Sequence, residues 1–107
     1  MSEYTISRVH PTDRRSLSQI DALLEQEGVK RDSNLDYICA MYDEDYQIIA
    51  TGSCFANTLR CFAVSRAHQG EGLLNQVVTH LMEVQYQRGV LRLFLYTKIR
   101  SAKFFRD

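Results

Sequence analysis

The chain has 107 residues, 45% hydrophobic and 24% charged, with a formal net charge of zero. That length supports one modest core and leaves no room for a second domain, and the composition is that of a folded globular chain, which argues against a disordered or fibrous one. No apolar run is long enough to cross a bilayer, and the opening MSEYTISRVH lacks a charged-then-apolar signal layout, so the sequence predicts no membrane association and a cytoplasmic protein.

Residues 3–9, EYTISRV, alternate apolar and polar side chains and predict a strand ended by Pro11. Thr12 or Asp13 can cap a helix whose apolar positions Leu17, Ile20, Leu23 and Leu24 recur at helical spacing and which stops near Gly28. Residues 35–42 and 47–56 read as two strands joined by an acidic turn, and a second turn at Asn57 leads into a third strand, TLRCFAVS. Gly52 inside the middle strand is a candidate bulge.

After a turn carrying Gly70 and Gly72, the positions Leu74, Val77, Val78, Leu81 and Met82 define one face of a helix running to about residue 88, with Gly89 placed to end it. VLRLFLYT, 90–97, is apolar enough for a central strand, and SAKFFRD begins a last helix that stops after two turns. The order β-α-β-β-β-α-β-α combines an antiparallel meander with a strand–helix–strand crossover. It predicts an α/β (α+β) fold with a mixed, mostly antiparallel sheet flanked by helices.

Cys39, Cys54 and Cys61 are odd in number, lack CxxC spacing and lie in apolar strand-like runs, so they read as buried structural thiols and no metal site is expected. Charge is uneven along the chain. Residues 1–69 hold 7 basic and 10 acidic side chains, whereas residues 70–107 hold 6 basic and 3 acidic. A balance of −3 against +3 suits a discrete anionic ligand near the glycine turn better than a nucleic-acid backbone, which calls for a strongly basic face.

Two glycines one residue apart at a helix start need a reason, because glycine is costly there unless the backbone turns sharply or a ligand approaches the main chain. A dinucleotide fingerprint fails at its third glycine, where Asn75 stands, and a Walker loop fails for want of Gly-Lys-Ser/Thr. A pyrophosphate cradle remains, with the N–H groups from Gln69 to Leu74 converging at the positive end of the helix dipole. An ordinary strand-to-helix bend is the alternative.

FAVSRAHQGEGLLNQVV resembles the signature of the GNAT acetyltransferase superfamily, in which an apolar strand is followed by Gln/Arg-x-x-Gly-x-Gly/Ala opening a helix. The match comprises Gln69, Gly70, Glu71, Gly72, Leu73 and Leu74, and departs at Leu74, where the superfamily has Gly or Ala. More narrowly, GEGL at 70–73, LFLYTK at 93–98 and FFR at 104–106 are similar to the acetyltransferase-like N-terminal domain of citrate (pro-3S)-lyase ligases. The resemblance covers most of the chain and is weakest over residues 10–34.

The resemblance implies a setting. Such ligases use ATP and acetate to acetylate the thiol of a coenzyme A-like prosthetic group on the acyl carrier subunit of citrate lyase. The ATP chemistry belongs to a C-terminal nucleotidyltransferase domain, whose HxGH-type motif is absent from these residues, where His10, His68 and His80 stand isolated. The implied cofactors are coenzyme A, acetyl-coenzyme A or the prosthetic group; the implied partners are that domain and the acyl carrier subunit. The superfamily also continues beyond the last helix, so the chain reads as a C-terminally incomplete GNAT-like domain with an exposed strand edge and a possible homodimer.

The resemblance further implies that Phe62, Ala63 and Val64 offer backbone to the pantetheine arm. Phe105 stands where the superfamily often has a tyrosine that protonates the departing thiolate, and it has no proton to give. No other catalytic group stands out. Glu71 reads as solvent-facing, His68 as an exposed loop residue with a phosphate contact as the alternative, Tyr86 and Tyr96 as core or flanking aromatics, and Lys98 and Arg100 as possible phosphate contacts. The expected function is therefore a binding module that positions a thiol. A stand-alone acetyl-coenzyme A-dependent N-acetyltransferase and a non-catalytic structural or regulatory domain are the alternatives.

Overall fold

The computed structural model describes residues 4–32, 35–90, 92 and 94–95. The expected final helix, with Phe105, and half of the strand expected over 90–97, with Tyr96 in it and Lys98 and Arg100 just after, lie outside them. Elements follow the order β1 (Thr5–Arg8), α1 (Arg14–Gln26), β2 (Tyr37–Tyr42), β3 (Ile48–Phe55), β4 (Thr58–Val64), a 3-10 turn (Arg66–His68), α2 (Leu73–Gln87) and β5 (Phe94–Leu95). They form a sheet in the order β1-β2-β3-β4-β5, antiparallel through β4 and parallel between β4 and β5. This is the mixed architecture expected from the sequence. Among the described residues no helix is long and apolar enough to cross a membrane.

The two helices cover opposite faces of the sheet. Asp13 caps α1, its Oδ1 accepting the Ser16 N–H at 3.1 Å, and Leu17, Ile20, Leu23 and Leu24 pack with Ile38, Ala40 and Ala63. On the other face Leu73, Leu74, Val77 and Leu81 of α2 pack with Met41, Phe62 and Val64. Because β2 is buried on both sides, YICAMY reads as a continuous apolar run without alternation.

Met82, expected on the apolar face of α2, is half exposed at 49%, and Tyr86 is exposed at 71%. The buried stripe runs through Leu73, Leu74, Val77, Leu81 and Gln85 instead. It takes in Leu73 at the start and Gln85 near the end, and Gln85 closes onto the β3–β4 hairpin. Its side-chain amide donates to the Ala56 carbonyl, while the Ala56 N–H donates to Asp36 Oδ2. A fully buried amide is stable there because it has a partner.

The ladder irregularity falls at Gly52, as expected, but the extra residue belongs to β4. Thr51 pairs with Ala63 and Ser53 with Arg60, so Cys61 and Phe62 together stand opposite Gly52. Cys61 takes the left-handed φ of 59°, the backbone kink that such a bulge requires. Gly52 has a different task. A Cβ there would lie 2.6 Å from Val77 Cγ1, 2.9 Å from Phe62 Cε1 and 3.0 Å from Leu81 Cδ1, so glycine lets α2 and the Phe62 ring close onto the sheet.

Candidate functional site

At the end of β4 the chain makes the 3-10 turn, extends through Gln69, and passes Gly70, Glu71 and Gly72 into α2. Gly70 has φ 89° and Gly72 φ 73°, left-handed values that an L side chain adopts only under strain. Gly72 is the N-cap and has no side chain to cap with. The first intrahelical bond runs from the Gln76 N–H to the Gly72 carbonyl at 3.4 Å. The N–H groups of Gly72, Leu73, Leu74 and Asn75 therefore have no acceptor among the described residues.

Among the described residues nothing lies against the open side of these glycines. A Cβ built on Gly70 or Gly72 meets no atom within 4 Å, apart from its chain neighbours. Leu73 and Leu74 send their side chains into the core, at 1% and 0% exposure, so the bulk at position 74 lies beneath the turn and does not stand in front of its amides. An uncapped helix start, with its partial positive charge and free donors, is suited to an oxyanion.

The residues around this turn hold it rather than fill it. Gln69 Nε2 donates to the Val64 carbonyl at 3.4 Å and to Glu27 Oε1 at 3.3 Å, tying the loop to β4 and to the end of α1. Arg66 donates to the Gln26 carbonyl at 3.4 Å. Thus the Gln69 side chain, a site candidate on sequence grounds, makes its contacts with protein. Phe62, Ala63 and Val64 likewise bury their side chains, so none of these side chains faces a ligand. Among the described residues β5 pairs with Thr58 and Leu59, and Phe62 to Val64 lie farther along β4.

Glu71 is exposed, as the sequence suggests, but it is not loose: the Tyr4 hydroxyl donates to its Oε1 at 3.0 Å. His68 differs from the exposed loop residue expected. It is half-buried, its Nδ1 is enclosed without a hydrogen bond, and its ring meets the Tyr4 ring edge-on at 5.8 Å and 81°. Tyr4 also lines an open groove of about 400 Å³ with Ile6, Met41, Asn75, Gln76 and His80. The Nε2 of His80, one of these lining residues, lies 2.9 Å from the Tyr37 hydroxyl, and burial raises the pKa of that phenol. Tyr4 is the site residue sequence reasoning missed. It lies 67 positions from Glu71, and no local pattern links the two.

All three cysteines are buried and free, as expected. Desolvation pushes the Cys39 thiol up to about 12 and the Cys54 thiol up to about 11, and it also raises Cys61, whose Sγ donates to Asp32 Oδ2 at 3.7 Å. Thiols held protonated at neutral pH are poor nucleophiles and poor metal ligands. Among the described residues no group of three or more His, Cys, Asp or Glu side chains could hold a metal ion.

This geometry meets a consistent set of likenesses. The citrate (pro-3S)-lyase ligase of Haemophilus influenzae is 30% identical over 96 residues, covering 90% of this chain and 29% of that protein. The chain is a relative of the GNAT-like N-terminal domain of such ligases. It spans less than a third of the length of the curated ligases it matches. Among solved structures, the glucosamine-6-phosphate N-acetyltransferase of Arabidopsis thaliana superposes with a TM-score of 0.72 at 20% identity, over 97% of this chain and 88% of that one. A GNAT family N-acetyltransferase of Escherichia coli in complex with CoA superposes at 0.67 and 19% identity, over 83% of this chain and 59% of that one. The GNAT fold is thereby established for the ligase-like domain, which is acetyltransferase-like in architecture. No protein-family model matches the chain.

Proposed function

We propose that this ligase-like domain binds coenzyme A or the coenzyme A-like prosthetic group of the citrate lyase acyl carrier, and that it holds the group's thiol ready for acetylation by a neighbouring ATP-dependent domain. One observation carries the reading: among the described residues the N–H groups of Gly72–Asn75 at the start of α2 have no acceptor, beside two glycines whose Cβ positions meet no atom. The donor set fits the group, since a pyrophosphate offers several oxygens to match several convergent N–H donors, and the dipole adds attraction for its charge.

When bound, the coenzyme supplies a thiol that can carry an acyl group. The chain's own part is to fix that arm. The amides of Gly72–Asn75 would hold the pyrophosphate, the open side of Gly70 and Gly72 would let it approach the main chain, and the backbone of Phe62–Val64 would lie along the arm. Orientation of this kind is itself catalytic: removing translational and rotational freedom can lower a barrier by about 7–11 kcal/mol in favourable cases. The described residues contribute no general acid or base at the turn beyond Glu71 and His68, and each of those is engaged with Tyr4.

A thermal-shift and calorimetric titration with coenzyme A tests the proposal. Binding to the native state raises the melting temperature by mass action, and the rise grows with coenzyme concentration. Acetyl-coenzyme A should give a similar shift without releasing free thiol when amines are added. Thiol release with an amine would mark an N-acetyltransferase instead. No shift with either compound at millimolar concentration would exclude the cradle reading.

A further inference from the structure

Glu71 poses a problem for an anion-binding turn. It sits between the two left-handed glycines and one residue before the N-cap, next to N–H groups with no acceptor among the described residues. A carboxylate is the side chain a helix start attracts most strongly, through both hydrogen bonding and the dipole. Left alone, Glu71 could fold back onto the N–H groups of Gly72–Asn75 and occupy them as an internal competitor of phosphate.

The structure shows it elsewhere. Its Oε1 accepts the Tyr4 hydroxyl at 3.0 Å, and Tyr4 is positioned from two directions. It leads into β1, whose residues Thr5 to Arg8 are in register with Tyr42 to Cys39, and its ring is braced edge-on against His68. The hydroxyl is therefore held at a fixed place by the sheet and by the 3-10 turn that precedes the glycines. We propose that Tyr4 is a positioning residue: it holds the Glu71 carboxylate away from the helix start and so keeps the anion turn vacant. This deepens the coenzyme-binding reading and rests on it. It assigns the first strand a part in the site that the glycine motif alone does not suggest.

The test is a calorimetric cycle on the full chain with coenzyme A and inorganic pyrophosphate as probes. In Tyr4→Phe the carboxylate is released, and binding of both probes should weaken about five-fold, the scale of one charge competing at a helix terminus. In Glu71→Gln binding should equal or exceed that of the unaltered chain, and adding Tyr4→Phe to Glu71→Gln should cost nothing further. That rescue separates positioning from a merely structural role. An equal loss from Tyr4→Phe in both backgrounds, or no loss in either, overturns the inference while leaving coenzyme binding intact. Failure of the unaltered chain to bind either probe overturns both. Should Tyr4→Phe fold poorly, Glu71→Asp serves instead. Its carboxylate is too short to reach Tyr4, so it should bind more weakly than Glu71→Asn, and equal affinities would count against the proposal.

Discussion

Gly52 and the pair Gly70/Gly72 lie on the same side of the polypeptide's plan, one beneath α2 and the others at its start, yet they are glycine for opposite reasons. At Gly52 the backbone is unstrained and the space is full, with three side-chain atoms within 3.0 Å of a Cβ position. At Gly70 and Gly72 no described atom meets the Cβ position and the backbone is left-handed. Sequence alone marks all three as interruptions. The structure separates a packing glycine, which brings helix and sheet together, from conformational glycines, which expose main-chain donors. An open, left-handed turn next to a tightly closed core is the arrangement a ligand-binding edge needs: rigid behind and accessible in front.

The comparison breaks most visibly at Gly52. Gly52→Val must displace the stiff Val77 side chain and the Phe62 ring, and overpacking of that kind should cost about 3 kcal/mol or more, read as a loss in urea-unfolding free energy. A valine accepted without loss would mean that α2 stands off the sheet. The dryness of the same region has its own signature. Cys39 lies directly across from Gly52 in the β2–β3 ladder and its thiol is pushed up to about 12 by desolvation.

The sign of the resulting pH dependence follows from the proton balance. In the unfolded chain the thiol ionises near 8.5, whereas in the native state it keeps its proton, so the contribution is complete below about pH 8.5 and is lost as pH rises toward 12. Between pH 8 and pH 10 Cys39 alone should remove about 2 kcal/mol of stability. Cys39→Ala should flatten that part of the profile, and an unchanged slope would show a wetter core than the packing implies.

Much of this architecture was legible in the sequence because local chemistry encodes it. The spacing of Leu17, Ile20, Leu23 and Leu24, the cap at Asp13 and the turn at Asn57 each act within a few residues. The Gly70–Gly72 turn was legible for the same reason, since a paired glycine before a helix start has few uses. What escaped depends on contacts between distant positions. Nothing around residue 4 announces that its hydroxyl meets Glu71, and although Gln85 follows Leu81 by four residues on the apolar face, nothing within α2 marks Ala56 as its partner. The glycine in β3 suggests a bulge on its own strand, but the kink sits at Cys61, because the neighbouring strand absorbs the extra residue while the glycine makes room for Phe62 and α2.

At the open turn the expected effects are smaller and of another kind. Gly70→Ala meets no atom, so its cost is the left-handed backbone alone, about 1 kcal/mol after allowing for the lower entropy of alanine in the unfolded chain. Its effect on coenzyme A affinity should exceed its effect on stability, since a methyl group there stands where the ligand would approach. If stability falls by as much as in Gly52→Val, the turn is packed rather than open and the distinction between the two kinds of glycine fails.

Ala56 supplies the converse experiment. It sits at the β3–β4 hairpin with φ 52°, exposed, and its backbone is fixed from both sides by Asp36 and Gln85. Here an L residue already bears the strain that glycine avoids at positions 70 and 72. Ala56→Gly removes a left-handed penalty of about 1–2 kcal/mol and adds back roughly 0.4–1 kcal/mol of unfolded-state entropy. The net gain should be about 0.5 kcal/mol, or a rise of about 2–4 °C in melting temperature for a domain this small. The two hydrogen bonds use only the main chain at Ala56, so neither should change. A loss of stability instead would show that the alanine methyl packs usefully at the hairpin tip, and that left-handed strain is a poor guide to where this chain needs glycine.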